Sequence, residues 1–234
     1  MHSPEECRTG SARPLGGWWI GVPVALALLV VASAAGGATR GPSGSIARSR
    51  CQVRAVQARA RAMVVVAKRR YSHEHYGVAV HAALSRVAHD GRLMNALSAG
   101  SFRTAQREAN RQLVRHTVRI RIVHGSRTVV DANPSSFAVA GATGRLYGRG
   151  GRVLGQAEVS VQDIVGFIKL VHKYHPAHVL VRGRRGHVET SLPAARSRRL
   201  PGSGCVTVAR HSYAVQSFHE TGFAGERLTV WVLV

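Results

Sequence analysis

Residues 152–174, RVLGQAEVSVQDIVGFIKLVHKY, decide the fold because the spacing of their apolar side chains changes partway along. Residues 153–159 alternate between apolar and polar, which is typical of a half-buried strand. Apolar residues then recur at helical spacing to the end of the stretch. Ser160 and Asp163, three residues apart, predict a capping box where the helix begins. A strand therefore leads directly into a helix that faces a core.

The composition indicates one globular domain with an appendage. The chain has 234 residues and a formal net charge of +22, from 33 Lys+Arg against 11 Asp+Glu. Nearly all basic residues are arginine, as a GC-rich genome also produces, yet the charge still favours anionic partners. A basic polyanion- or nucleic-acid-binding protein is therefore the alternative function. The arginines are spread along the chain, aromatic residues make up 6%, and no recognition motif occurs, so we do not expect a nucleic-acid partner.

An uncharged apolar segment near the N-terminus predicts contact with a membrane. Residues 18–35, WWIGVPVALALLVVASAA, follow a short polar tail at 1–17 and precede a Gly-rich linker at 36–44. The segment is about long enough to span a bilayer as a helix. The small residues before Ala34 also resemble a signal-peptidase site. The segment is either a transmembrane anchor or a signal peptide cleaved after Ala34.

Two signals in the sequence disagree about the side of the membrane on which the rest of the chain lies. Four arginines between residues 40 and 54 would hold the C-terminal body in the cytoplasm by the positive-inside rule. A secretory signal would place it outside. We expect a single-pass protein with its C-terminal domain outside the cytoplasm, or a secreted domain if cleavage occurs.

The remaining sequence predicts helices followed by strands. A long amphipathic helix is expected at 45–71, and shorter helices at 78–89, 92–99 and 102–114. The period then shifts to two, which predicts hairpins and further strands. The expected strands are residues 118–122, 128–132, 178–182, 187–192, 205–218 and 227–234. The last is apolar on both faces, as a central strand would be. Residues 135–151 are rich in glycine and predict a loop.

Three of these segments together resemble the Cache (PAS-like) extracytoplasmic sensor domains of bacteria. They are the hairpin at 118–134, which includes Val-Val-Asp, the Leu-Gly-x-Ala-x-Val-Ser-Val-Gln-Asp run in 152–167, and the long helix at 45–71. The resemblance covers residues 45–234. It implies an α+β fold in which a membrane helix and a long stalk helix precede a PAS-like antiparallel sheet of about five or six strands flanked by helices.

The resemblance also implies a function. Cache domains hold a ligand, often a small organic acid or an amino acid, between the sheet and the loops that cover it. The expected function is therefore that of a membrane-anchored or secreted sensor-type domain. Because no output domain follows Val234 in this sequence, we expect the domain either to work with a separate signalling partner or to bind its ligand for another purpose.

Four basic or aromatic residues are candidates for ligand contact. If residues 135–151 form a lid over a pocket, Arg145 and Tyr147 are the best candidates, because a guanidinium pairs with a carboxylate through two hydrogen bonds. Arg121 and Lys169 are secondary candidates. Each of the four is also explained as a surface residue.

Enzymatic chemistry is not expected. The sequence has no nucleophile elbow and no zinc-protease spacing. His73 and His75 alternate as metal ligands can, but no third and fourth ligand accompanies them. We therefore predict no catalytic residues, no metal and no cofactor.

The cysteines allow one disulfide in the body of the protein. Cys51 and Cys205 lie there, whereas Cys7 precedes the apolar segment. If the body is outside the cytoplasm, Cys51 and Cys205 can pair. Two unpaired buried thiols are the alternative.

Overall fold

The structure is a computed structural model that describes residues 53–114 and 116–234. The chain divides into two units, Met1–Ser45 and Ile46–Val234, and all described residues belong to the second. The predictions for the tail, the apolar segment, the linker, the start of the stalk helix and Cys51 concern residues outside the described ranges. Among the described helices, none has the length and apolar character needed to cross a bilayer.

Within the described residues the protein has five α-helices and nine strands, so the predicted α+β class is confirmed. Four helices come first: α1 (Arg54–Tyr76), α2 (Val78–Ala88), α3 (Gly91–Ser98) and α4 (Phe102–Arg111). All four match the predicted helical segments, although α1 continues past its expected end. Helix α3 begins separately from α2 because Asp90 caps it. The Asp90 carboxylate accepts a 2.8 Å hydrogen bond from the Leu93 amide.

The first sheet has four antiparallel strands in the order β2-β1-β4-β3. They are β1 (Arg119–His124), β2 (Arg127–Ala132), β3 (Ala142–Tyr147) and β4 (Val153–Ser160). The predicted hairpin is β1–β2, and the strand of the opening stretch is β4, which lies inside the sheet. One face of this sheet packs on helices α2, α3 and α4 through a core that includes Ile120, Ile122 and Leu146.

The second sheet has five antiparallel strands in the order β6-β5-β9-β8-β7. Helix α5 (Ile164–Tyr174) leads from the first sheet to it. Its strands are β5 (His178–Gly183), β6 (Val188–Thr190), β7 (Ser203–Val208), β8 (His211–Thr221) and β9 (Arg227–Leu233). The apolar last strand, β9, is central, as predicted. Helices α1 and α5 cover one face through Tyr71, Phe167 and Val171.

The prediction of a single sheet of five or six strands is wrong. Helix α5 separates β4 from β5, and β5 then pairs with β9 instead of returning to the first sheet. The predicted single strand at 205–218 is also wrong, because it is the hairpin β7–β8. Ala209 and Arg210 turn the chain with φ angles of 47° and 69°. Neither alanine nor arginine is typical of a turn, so the sequence did not predict one here.

The predicted loop at 135–151 contains a strand, β3, that pairs with β4 along its length. Glycines lowered the strand signal there. Their small size is used in packing: a Cβ atom at Gly144 would lie 3.0 Å from a methyl carbon of Leu84 on α2. The segment is therefore an edge strand of the sheet rather than a mobile lid over it.

The helix start in the opening stretch is capped by Asp163, as its position suggested. The Asp163 carboxylate accepts a 2.6 Å hydrogen bond from the Gly166 amide. The predicted capping role of Ser160 is wrong, because its hydroxyl donates to the Val139 carbonyl oxygen at 2.8 Å. Ser160 is the last residue of β4 and is buried. Its hydroxyl group therefore satisfies a buried carbonyl oxygen in the segment before β3.

Candidate functional site

The face of the first sheet that points away from its helices carries a set of polar side chains in register. Because Ile120 and Ile122 face the core, Arg121 between them faces the opposite side. Arg121 lies directly opposite Glu158 on β4, and Glu158 lies directly opposite Thr143 on β3. Directly opposed residues have Cβ atoms about 5 Å apart, so these three side chains form one row across the sheet. We call this side the outer face.

A small cavity of about 140 Å³ opens on the outer face. It lies over β1, β3 and β4. Its lining combines a cation, a carboxylate, an amide and a hydroxyl group with two apolar residues: Arg121, Glu158, Gln156, Thr143, Val123 and Ala157. The volume is below the range of about 300–1,000 Å³ typical of sites for drug-sized molecules, so only a small ligand fits.

Glu158 is the most constrained polar group of the cavity. Both of its carboxylate oxygens accept from the Ala224 amide, at 3.0 and 3.1 Å, and one also accepts from the Gly141 amide at 3.5 Å. Burial raises the pKa of Glu158, although these amides and the arginines on β1 oppose the rise. A carboxylate offers about four acceptor positions, so these amides leave capacity for one more donor.

Arg121 is held at the other side of the row. Its Nε and Nη2 atoms donate to the Thr128 hydroxyl oxygen at 3.3 and 3.0 Å. Among the described residues, no ion pair within 4.0 Å joins Arg121 to Glu158, although the two are cross-strand neighbours. The cavity therefore presents opposite charges that do not neutralise each other by direct contact.

The neighbouring Arg119 has a structural role. Its side chain makes two hydrogen bonds to the Asp131 carboxylate, at 3.2 and 3.1 Å, and one to the Ser136 carbonyl oxygen at 3.0 Å. Its guanidinium carbon also lies 4.8 Å from the centre of the Phe223 ring. Phe223 and Ala224 belong to the turn between β8 and β9. Arg119 and Glu158 thus hold that turn of the second sheet against the outer face of the first.

Of the four residues predicted to contact a ligand, Arg121 lines this cavity. Arg145 lies on the outer face opposite Gln156, but it is exposed and outside the lining. Tyr147 ends β3 and has 53% of its surface exposed. Lys169 lies on α5 and lines a separate cavity of about 170 Å³ beside β6. The predicted set is therefore not one site.

Sequence patterns did not identify three polar residues of the cavity, the carboxylate Glu158 and the uncharged Gln156 and Thr143. Glu158 and Gln156 occupy the polar side of the β4 alternation, which was visible in the sequence. Thr143 lies in the segment expected to be a loop. The missing information was the pairing of β4 with β1 on one side and β3 on the other.

Cys205 takes part in a disulfide. The other cysteines of the chain, Cys7 and Cys51, lie outside the described residues. The pairing of Cys205 with Cys51 stays a prediction.

His178 on β5 lies beside His172, which lines the Lys169 cavity. Its Nδ1 atom is buried and has no hydrogen-bond partner within the described part of the chain. Its ring stacks on His172 at 4.9 Å. Burial and the neighbouring His172 lower the pKa of His178, although an interaction with the Ser191 backbone opposes the shift. A histidine with a lowered pKa supports folding above its unfolded value of about 6.5, and this support is lost as the pH falls.

The substitution His178→Phe is therefore expected to flatten the dependence of stability on pH. We expect the wild-type protein to lose more stability than this variant between about pH 7.5 and pH 5, measured by urea unfolding. His211→Phe, at an exposed position of β8, is the matched control and should follow the wild type. Equal pH profiles for His178→Phe and the wild type would show that His178 is not the sensitive group.

No family model matches the chain, and no curated protein sequence matches it. Among solved structures, an extracellular ligand binding receptor from Desulfohalobium retbaense DSM5692 is similar, with 11% identity and a TM-score of 0.28. The similar region covers 64% of this chain and 39% of that receptor, so this chain spans well under half of the receptor's length. A TM-score this low does not establish a shared fold.

Proposed function

We propose that this domain binds a small zwitterion, a free amino acid, in the cavity on the outer face. The observation that carries the proposal is the direct opposition of Arg121 and Glu158 across neighbouring strands, with space between them and no ion pair joining them within the described residues. The domain would act as the ligand-binding part of a Cache-like sensor outside the cytoplasm, either anchored in the membrane or secreted.

Each group of an amino acid has a partner in the cavity. The ligand carboxylate pairs with Arg121, whose guanidinium has five N–H donors and offers paired hydrogen bonds. The ligand ammonium pairs with Glu158. Thr143 and Gln156, which also line the cavity, supply a hydroxyl and an amide for the remaining hydrogen bonds.

The carboxylate of Glu158 favours an amino acid over a simple organic acid. An anion without an amine would bring its charge close to Glu158 and would leave the acceptor capacity of Glu158 unused. An ammonium group there would favour the charged form of Glu158 and so oppose the rise in pKa caused by burial. The small volume restricts the side chain of the ligand, which favours glycine, alanine or serine.

Occupation of the cavity would be sensed through the contact of Glu158 with Ala224. This contact joins the cavity to the β8–β9 turn and hence to the second sheet. A ligand ammonium that takes the remaining acceptor position of Glu158 would draw this carboxylate toward the cavity and would change how the turn is held. A separate signalling partner that contacts the second sheet would then receive the change.

Matched glutamine variants test the two charged contacts. We expect Arg121→Gln and Glu158→Gln each to weaken the binding of L-alanine to the purified full chain by at least about tenfold, because each removes the charged partner of one ligand group. Arg145→Gln removes a charge from the same sheet face outside the cavity and should change binding less than about twofold. Isothermal titration calorimetry measures all three variants, and thermal unfolding verifies that they are folded.

Two outcomes would count against this assignment. If Arg145→Gln weakens binding as much as Arg121→Gln, the site extends beyond the cavity toward the sheet edge and includes Arg145. If folded Arg121→Gln binds L-alanine as tightly as the wild type, the cavity is not the ligand site.

A further inference from the structure

A second cavity, of about 350 Å³, lies between α1 and α5, away from the outer face of the first sheet. The two helices pack through a buried contact in which the rings of Tyr71 and Phe167 meet edge to face at 5.4 Å. Beside this contact the helices separate and leave a groove. Its lining is mainly apolar on α5 and basic on α1: Val66, Arg69, Arg70, His73, Leu170, Val171, Tyr174 and His175. We call it the interhelix groove.

The charges along the groove leave an excess of positive charge. Arg70 Nε lies 3.2 Å from the Glu74 carboxylate, and His73 Nδ1 lies 3.9 Å from the same group. Arg69 makes no ion pair with the described residues. One acidic residue therefore faces two arginines and a histidine.

Arg70 is the second cation of the groove. Its side chain is 39% exposed and lines the groove, while its Nε atom lies 3.2 Å from the Glu74 carboxylate. A guanidinium carries five N–H donors, so the ion pair with Glu74 leaves donors for a second anion.

We propose that the interhelix groove binds a small hydrophobic monocarboxylate, such as an aromatic acid. The apolar part of the ligand would cover Leu170, Val171 and Tyr174, and its carboxylate would pair with Arg69 and Arg70. Apolar burial with one charged anchor is the usual composition of a small-molecule site, and the volume falls within the usual range of about 300–1,000 Å³. This site is independent of the proposed amino-acid site, because the two share no lining residue.

The probe for this site is 3-phenylpropionate, titrated into the purified full chain. Two relatives of the probe separate the contributions: 3-phenylpropylamine keeps the ring but carries a positive charge, and propionate keeps the carboxylate but lacks the ring. We expect 3-phenylpropionate to bind at least about tenfold more tightly than either, because each relative lacks one of the two kinds of contact.

Two variants and a control locate the binding. The double change Arg69→Gln with Arg70→Gln should weaken 3-phenylpropionate binding by at least about tenfold. Leu170→Trp should abolish it by filling the groove without a change of charge. Arg61→Gln removes an exposed charge from α1 outside the groove and should leave binding within about twofold.

The proposal is overturned if 3-phenylpropylamine binds as tightly as 3-phenylpropionate, or if Leu170→Trp, verified as folded, leaves binding unchanged. L-alanine binding, measured on the same variants, should stay at the wild-type value. Loss of 3-phenylpropionate binding with L-alanine binding retained therefore separates this site from the one on the first sheet.

Discussion

Replacing Tyr71 by alanine is expected to lower the free energy of unfolding by about 4 kcal/mol, within the range of about 3–5 kcal/mol for aromatic-to-alanine changes in a core. Tyr71 lies on α1, is 1% exposed and packs edge to face on Phe167 of α5. Its hydroxyl donates to the Thr221 carbonyl oxygen at 2.9 Å and accepts from the Ala140 amide at 3.3 Å. One side chain thus joins α1, α5, β8 and the segment before β3.

Tyr71→Phe separates the hydroxyl from the ring. It keeps the packing but removes both hydrogen bonds, and we expect a loss of about 1–2 kcal/mol. Urea unfolding measures both variants. If Tyr71→Ala and Tyr71→Phe lower the free energy of unfolding equally, the ring contributes nothing to stability. If alanine costs less than about 1 kcal/mol, Tyr71 does not hold these elements together.

Gly155→Ala is expected to destabilise the protein by about 3 kcal/mol. Gly155 on β4 has a φ of 152°, a conformation that residues with a side chain rarely adopt. A Cβ atom there would lie 2.6 Å from the Val123 carbonyl oxygen on β1, so the two strands would have to separate. The same strands carry Arg121 and Glu158, and we expect L-alanine binding to weaken as well.

Gly91→Ala is the matched control. Gly91 is the first residue of α3, and a Cβ atom there would meet no other atom within 4 Å. Alanine favours helix, so this change should be neutral or slightly stabilising. A Gly155→Ala protein as stable as the Gly91→Ala protein would contradict the close approach of β4 to β1.

Local patterns in the sequence predicted the five helices and most of the strands, but not β3 or the division of 205–218 into β7 and β8. The change of period after residue 159 placed β4 and α5 correctly, and Asp163, one member of the predicted capping box, caps α5. The apolar character of β9 on both sides predicted its central position. These features depend on neighbours a few residues apart, and sequence spacing reports such neighbours directly.

Pairing between distant segments was not predicted. The division into two sheets depends on the pairing of β5 with β9, about 50 residues later. No local sequence pattern predicts this pairing. The candidate site was missed for the same reason. Arg121, Thr143 and Glu158 come from three strands, and one of these strands was expected to be a loop. Arg145 was favoured for its chemistry and its place in the expected lid, although the register places it beside the cavity rather than in it.

The most direct test of the central claim, that the outer face of the first sheet binds a zwitterion through Arg121 and Glu158, compares L-alanine with two molecules that each lack one of its charged groups. Isothermal titration calorimetry of the purified full chain measures L-alanine, propionate and ethylamine under the same conditions. Binding through both charges predicts that L-alanine binds at least about tenfold more tightly than either of the others. Propionate binding as tightly as L-alanine would contradict the role of Glu158, and no binding of glycine, L-alanine or L-serine would contradict the site as a whole.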